Sequence, residues 1–209
     1  MARNQDSSLA SASAIGDTTV VDADVHLSSS AIAGDAARYA DSAPVRTRLA
    51  SGSPPWPQDN WDRRIGGKIE RHRITDLDDL HDICDAVGID HPVVNTFAPI
   101  GRIGQPELAT GVAQAYNDLL VAEFLDPDPA VYGLASVATQ EPAKAAEELD
   151  RLGDEDQIVG AFFTTQGPTP PLGDPEYDVI YRAAEDNDLA VVYHGSAPTE
   201  YDYPMQDYR

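Results

Sequence analysis

The sequence predicts an α/β protein built around a parallel β-sheet. From residue 75 to residue 194, apolar segments of strand length alternate with longer segments whose apolar residues recur at helical spacing. Strands separated by helices of this length are joined by right-handed crossovers and lie parallel in one sheet. A further strand, predicted at residues 19–27, precedes this series.

The first predicted strand carries an unusual row of ionisable residues. Its apolar residues fall on one face, and Asp22, Asp24 and His26 fall on the other. As the first strand of a parallel sheet it is expected to be buried on both faces, so these groups need partners. A divalent cation suits carboxylate and neutral imidazole together. The alternative is an exposed edge strand whose polar face meets water.

Four helices and four strands are predicted in regular alternation after residue 74. The first helix begins at a capping box, Thr75-x-x-Asp78, and Gly88 ends it. The helices are expected at residues 75–87, 106–124, 141–152 and 175–185, and the strands at residues 91–97, 131–137, 158–164 and 189–194.

The domain organisation predicted from composition has two parts. Residues 1–17 are rich in Ser and Ala without periodicity, which is typical of a disordered tail. Residues 18–209 form one domain with a long, irregular loop insertion at 28–74, a candidate lid over a pocket. Five side chains of this loop could contact a substrate: Trp56, Trp61, Arg63, Arg64 and His72. The two arginines are suited to binding a carboxylate.

The charge balance is extreme, with 36 acidic and 14 basic residues and a net charge of −22. Asp (26) outnumbers Glu (10), and Arg (12) outnumbers Lys (2). Such a charge destabilises the compact state unless salt screens it, and the composition resembles that of proteins from salt-loving archaea. It argues against nucleic acid or an anionic membrane as partner. Without a secretory signal or a long apolar run, the protein is expected to be cytoplasmic.

The last predicted strand ends in His194-Gly195. In a parallel barrel, functional groups gather at the carboxyl ends of the strands, where Asp24, His26 and His194 all lie. These three residues are the predicted metal ligands; a core histidine bonded to a carbonyl is the alternative for His194. Asp22 lies about 6.6 Å deeper and is interpreted as a supporting residue.

The other histidines and the cysteine are predicted to have structural roles or none. His91 opens its strand at the opposite rim, so it is interpreted as structural. His72 and His81 are expected to be solvated. Cys84, the only cysteine, lies in a helical apolar stripe and is predicted to be a small core residue.

Over residues 19–200 the chain resembles the amidohydrolase-related family that includes metal-dependent, non-oxidative decarboxylases. The resemblance lies in VVDADVH, in AQAYNDLLVAEFLDPDPAVYGLASVATQEPAKAAEELDRL, in IVGAFFTT and in PLGDPEYDVIYRAAEDNDLAVVYHGS. It implies a TIM-type (β/α)8 barrel that binds one divalent metal, zinc in preference to manganese, through Asp24, His26 and His194.

The resemblance also implies an activity. Hydrolytic relatives often carry His-x-His on the first strand, whereas Asp-x-His makes a weaker Lewis acid and favours decarboxylation of a small aromatic or unsaturated carboxylic acid. Hydrolysis of a C–N, C–O or lactone bond is the alternative. The complete enzyme is expected to be a homo-oligomer acting on a small carboxylate substrate.

The chain departs from the family in length. A barrel of this type has eight strands, and only five are predicted here. The sixth-strand His, the eighth-strand Asp and the general acid or base are expected beyond His194, so the chain is interpreted as an N-terminal part that is inactive alone. The remaining alternative is a non-catalytic remnant or a five-stranded flavodoxin-like binding module, which would have strand order 2-1-3-4-5.

Overall fold

Five parallel strands form one sheet in sequential order, β1-β2-β3-β4-β5. The computed structural model describes residues 18–51, 73–165, 168 and 170–195. Sequential order confirms the predicted βα units of a barrel and excludes the flavodoxin-like order. The strands are β1 (Val21–His26), β2 (His91–Asn95), β3 (Tyr132–Ser136), β4 (Ile158–Thr164) and β5 (Ala190–His194).

The four predicted helices all form between β1 and β5. They follow two shorter helices, α1 (Ala33–Ala36) and α2 (Ala43–Ala50). The predicted helices are α3 (Leu77–Val87), α4 (Pro106–Leu120), α5 (Pro142–Leu152) and α6 (Asp178–Asp186). A π-helical turn, Val121–Leu125, extends α4, and 3-10 turns lie at Ile100–Arg102 and Pro175–Tyr177. None of the helices within the described ranges is long and apolar enough to cross a membrane.

The predicted start of α3 is wrong by one residue. The capping side chain is Asp76, which accepts a hydrogen bond from the Asp79 N–H at 2.9 Å. The Asp79 carboxylate in turn accepts bonds from the N–H and hydroxyl of Thr75, at 2.9 and 2.7 Å. Aspartate competes well with threonine as a capping residue, so the two adjacent candidates are hard to separate by sequence. Gly88 ends the helix with a φ of 77°, as predicted.

The first half of the segment 28–74 is helical, not irregular. It forms α1 (Ala33–Ala36), a 3-10 turn (Ala37–Tyr39) and α2 (Ala43–Ala50). Alanines lack the bulk that makes helical periodicity visible in a sequence, although they are good helix formers. Residues 52–72, which include the five predicted substrate-contacting side chains, lie outside the described residues.

The sheet separates two apolar regions. The larger core lies between the outer face of the sheet and the helices, and Val25, Leu119 and Phe163 belong to it. The inner face carries a smaller cluster, which we call the inner cluster: Val93, Phe97, Leu134 and Phe162.

The two edge strands, β1 and β5, expose apolar side chains. The expectation that β1 is buried on both faces is wrong, since Val21 is 57% exposed. Among the described residues β1 pairs only with β2, and β5 only with β4. Val191 and Tyr193 of β5 are likewise exposed. Open, apolar edges of this kind favour association with other chains.

A buried amide ties α4 to β3 and α5. The Asn117 side chain accepts a bond from the Ser136 N–H at 2.7 Å, and donates to the Ser136 carbonyl and to Glu148. Glu148 is almost fully buried and is neutralised by Arg151. One fully buried side chain on α4 thus satisfies polar groups on two other elements.

We expect Asn117→Ala to lower the free energy of unfolding by about 2–3 kcal/mol, because it leaves buried polar groups unpaired and opens a cavity. Urea unfolding of the chain measures this loss. Glu107→Gln, an exposed substitution on the same helix, should change stability by less than about 0.5 kcal/mol. A loss below that value in Asn117→Ala would contradict the assigned role.

We expect the 209-residue chain to self-associate through its open edges and Val191→Lys to suppress this, because a lysine on an edge strand opposes pairing. Val179 on α6 offers a matched control, since Val179 and Val191 are both 39% exposed. Light scattering at increasing protein concentration should separate Val191→Lys from both Val179→Lys and the wild type. A monomeric wild-type chain with a cooperative melt would refute the expectation.

Candidate metal centre

Curvature of the sheet brings the carboxyl ends of β1 and β5 together. Four steps of about 4.8 Å between neighbouring strands would place them about 19 Å apart in a flat sheet. Instead, His194 Nε2 lies 3.3 Å from Asp24 Oδ2. Two side chains reach across the concave face only because the strands between them curve as in a barrel.

Asp24 lies between two imidazoles. His26 Nε2 is 3.0 Å from Asp24 Oδ1, and His194 approaches the other carboxylate oxygen. One nitrogen or oxygen from each of the three residues lies within 4.8 Å of the others. The structure therefore brings the three predicted ligands to one place.

The spacing of these atoms fits a metal ion. Two ligand atoms about 2.1 Å from one ion, at angles of about 90–110°, are about 3.0–3.4 Å apart. The distances from Asp24 to His26 and His194 fall in this range. In addition, the buried Nδ1 of His194 has no hydrogen-bond partner among the described residues, so protein contacts alone do not complete the bonding of this imidazole.

Burial keeps the His26 imidazole neutral. It lowers the pKa of His26 below its usual value, and the nearby His194 adds to this effect, while Asp24 opposes it. A neutral imidazole is the form that binds a metal ion. His26 therefore does not need to lose a proton near neutral pH before it can act as a ligand.

Two residues that sequence analysis did not assign to the site adjoin the candidate ligands. The Asn95 Nδ2–H donates to Asp24 Oδ1 at 3.1 Å. The Phe97 ring stacks on His26, with centroids 4.2 Å apart, and meets His194 edge-on at 4.9 Å. A polar residue two positions after Val93, at the same strand end as His26, was the available signal for Asn95.

The supporting role predicted for Asp22 stays a prediction, although its carboxylate accepts the Asp24 N–H at 3.0 Å. His91 Nδ1 contacts the Ala130 carbonyl at the other rim, in agreement with a structural role. His81 is half-exposed, as expected of a solvated group, but pairs with Asp128 at 2.8 Å. Cys84 is buried, as predicted.

An amidohydrolase family model matches residues 21–209, and the chain belongs to this family. The resemblance found in the sequence is thereby confirmed.

Several similar proteins are decarboxylases. The chain is 28% identical over 159 residues to gamma-resorcylate decarboxylase from Rhizobium sp. strain MTP-10005, an alignment that covers 72% of this chain and 47% of the relative. It is 28% identical over 141 residues to the enzyme of the same name from Rhodococcus jostii, covering 62% and 43%. The chain thus spans about half the length of these relatives.

Solved structures share the fold. 5-Carboxyvanillate decarboxylase from Sphingomonas paucimobilis aligns with a TM-score of 0.60 at 20% identity, over 91% of this chain and 55% of that one. The 5-carboxyvanillate decarboxylase of Novosphingobium aromaticivorans, determined with bound manganese, aligns with a TM-score of 0.61 at 20% identity, over 90% and 53%. These alignments confirm that the five strands form part of a TIM-type barrel.

Proposed function

We propose that Asp24, His26 and His194 hold one divalent metal ion, and that the protein uses it to decarboxylate a small aromatic carboxylic acid. The observation that carries the proposal is the convergence of these three side chains across the curved sheet. The decarboxylase names of the relatives support the reaction type.

The residues around the cluster suit an aromatic substrate. When bound, the metal would supply a Lewis acid for a substrate carboxylate or hydroxyl. Phe97 and Phe162 contact His194 and continue into the inner cluster, so apolar surface lies directly behind the polar ligands. Apolar surface on this side strengthens the electrostatic interactions of a bound carboxylate.

We infer that the metal is manganese or zinc. Two imidazoles and one carboxylate suit both ions, since imidazole favours transition metals and carboxylate accommodates manganese. The manganese found in the Novosphingobium structure supports manganese.

We also propose that the protein works in a salt-rich cytoplasm, a proposal that its Asp-rich, Lys-poor composition supports.

We expect the 209-residue chain to bind one equivalent of Mn²⁺ or Zn²⁺ weakly, in the micromolar range or above, because three protein ligands form a minimal site. Isothermal titration should show that Asp24→Ala and His26→Ala abolish binding. His81→Ala is the matched control, since its imidazole lies outside the cluster.

Each result of the titration is informative. Binding that survives both substitutions, or no binding to the wild type, would refute the proposed centre. Sub-micromolar binding that is lost in Asp24→Ala would support the centre and contradict its expected weakness.

We expect the protein to release carbon dioxide from a hydroxybenzoate. For this test it is purified through a tag inserted at its own genomic locus, so that all associated polypeptide is retained. The assay measures carbon dioxide and the decarboxylated product from 2,6-dihydroxybenzoate and 5-carboxyvanillate in high salt. Chelator should abolish the activity and Mn²⁺ restore it. Asp24→Ala should lower kcat/KM at least about 100-fold, since metal-dependent chemistry needs the ligand set.

Hydrolysis is the outcome that would replace this proposal. If the same preparation releases no carbon dioxide but opens lactone or amide substrates in a metal-dependent manner, the decarboxylase assignment is wrong while the metal centre stands.

A further inference from the structure

We infer that Asn95 is a positioning residue that holds the three candidate ligands in place, an inference that rests on the proposed metal centre. Asn95 is the last residue of β2 and is fully buried. It therefore lies beneath the half-exposed carboxylate of Asp24 and adds a third contact to the two that the imidazoles make with this carboxylate.

The chemistry of its partners fixes the orientation of the Asn95 amide. Nδ2–H donates to Asp24 Oδ1 at 3.1 Å, and Oδ1 accepts the Phe97 N–H at 3.1 Å. An ionised carboxylate only accepts and a backbone N–H only donates, so the opposite orientation would lose both bonds. The amide thus joins the carboxylate to the backbone two residues further on.

The second bond holds Phe97 in an unfavourable conformation. Phe97 has a φ of 47°, in the left-handed region that residues with bulky side chains rarely adopt. A conformation of this kind costs about 1–2 kcal/mol and persists where surrounding contacts enforce it. The Asn95 bond and a bond from the Ser29 hydroxyl to the Phe97 carbonyl, at 3.4 Å, supply such contacts.

This backbone conformation directs the Phe97 ring onto both histidines. The ring lies nearly parallel to His26, at an interplanar angle of 9°, and nearly perpendicular to His194, at 77°. Asn95 therefore acts on all three ligands: on Asp24 through a direct hydrogen bond, and on His26 and His194 through Phe97. Its bond to Oδ1 also leaves Oδ2 as the oxygen that faces His194.

The test compares Asn95→Leu with Thr96→Val in the full chain, with Mn²⁺ as the probe. Asn95→Leu keeps the branching at Cγ and the number of heavy atoms in the side chain but removes both hydrogen bonds. Thr96 is a matched control, because it is the next residue and is equally buried. Among the described residues its hydroxyl bonds to that of Ser136, at 2.9 Å and away from the candidate ligands.

We expect Asn95→Leu to raise the Kd for Mn²⁺ about 10–100-fold, the usual effect of removing a group that orients a metal ligand. Electron paramagnetic resonance of free Mn²⁺ measures the Kd, and the visible absorption of bound Co²⁺ reports ligand geometry. Thr96→Val should leave the Kd for Mn²⁺ and the absorption of bound Co²⁺ within about twofold of the wild-type values. This should hold even if urea unfolding shows that Thr96→Val and Asn95→Leu lose a comparable amount of stability.

The results separate this inference from the proposed function. If the wild type binds neither ion, the metal centre itself is refuted and the inference falls with it. If the wild type binds Mn²⁺ and Asn95→Leu binds it equally well, only the role of Asn95 is refuted. The same conclusion follows if Asn95→Leu and Thr96→Val both weaken Mn²⁺ binding in proportion to their loss of stability. Should Asn95→Leu not fold, Asn95→Ser, which leaves room for water, decides by the same criteria.

Discussion

Curvature of the parallel sheet is the constraint on which the candidate centre depends. Asp24 and His26 lie on β1 and His194 on β5, the two strands farthest apart in the sheet. In a flat sheet their side chains would not meet, whatever their chemistry. The inner cluster fills the concave face and the helices fill the convex one, so packing on both sides maintains the curvature that the centre requires.

The concave face changes from apolar to polar along the strands, and this arrangement suits metal binding. Leu134 and Phe162 lie in the apolar inner cluster, whereas Asn95 and His194 stand at the carboxyl ends of their strands. Low polarity nearby disfavours a charged imidazole, which explains the lowered pKa of His26. The surroundings thus favour the neutral form of His26, which is the form that binds a metal ion.

Sequence analysis predicted most of the elements, and predicted that the three candidate ligands meet, because both predictions follow local rules. Alternation along β1 places Asp24 and His26 on one face, and His194 ends a strand, so a parallel sheet curved as in a barrel was enough to predict their meeting. The positive φ of Phe97 follows from no local rule, since phenylalanine does not favour it. Two contacts accompany this conformation: a local hydrogen bond to Asn95, two residues earlier, and a hydrogen bond from Ser29, which is distant in the chain and depends on tertiary structure.

The excess of acidic residues bears on which ion this centre selects. A chain with a net charge of −22 attracts every cation, including the potassium and magnesium that are abundant around proteins. Charge alone therefore gives no selectivity. Imidazole nitrogens do, because they bind transition metals far better than they bind alkali or alkaline-earth ions. With two histidines and a single carboxylate, the proposed centre would select ions by ligand chemistry, whereas the acidic surface attracts them only by charge.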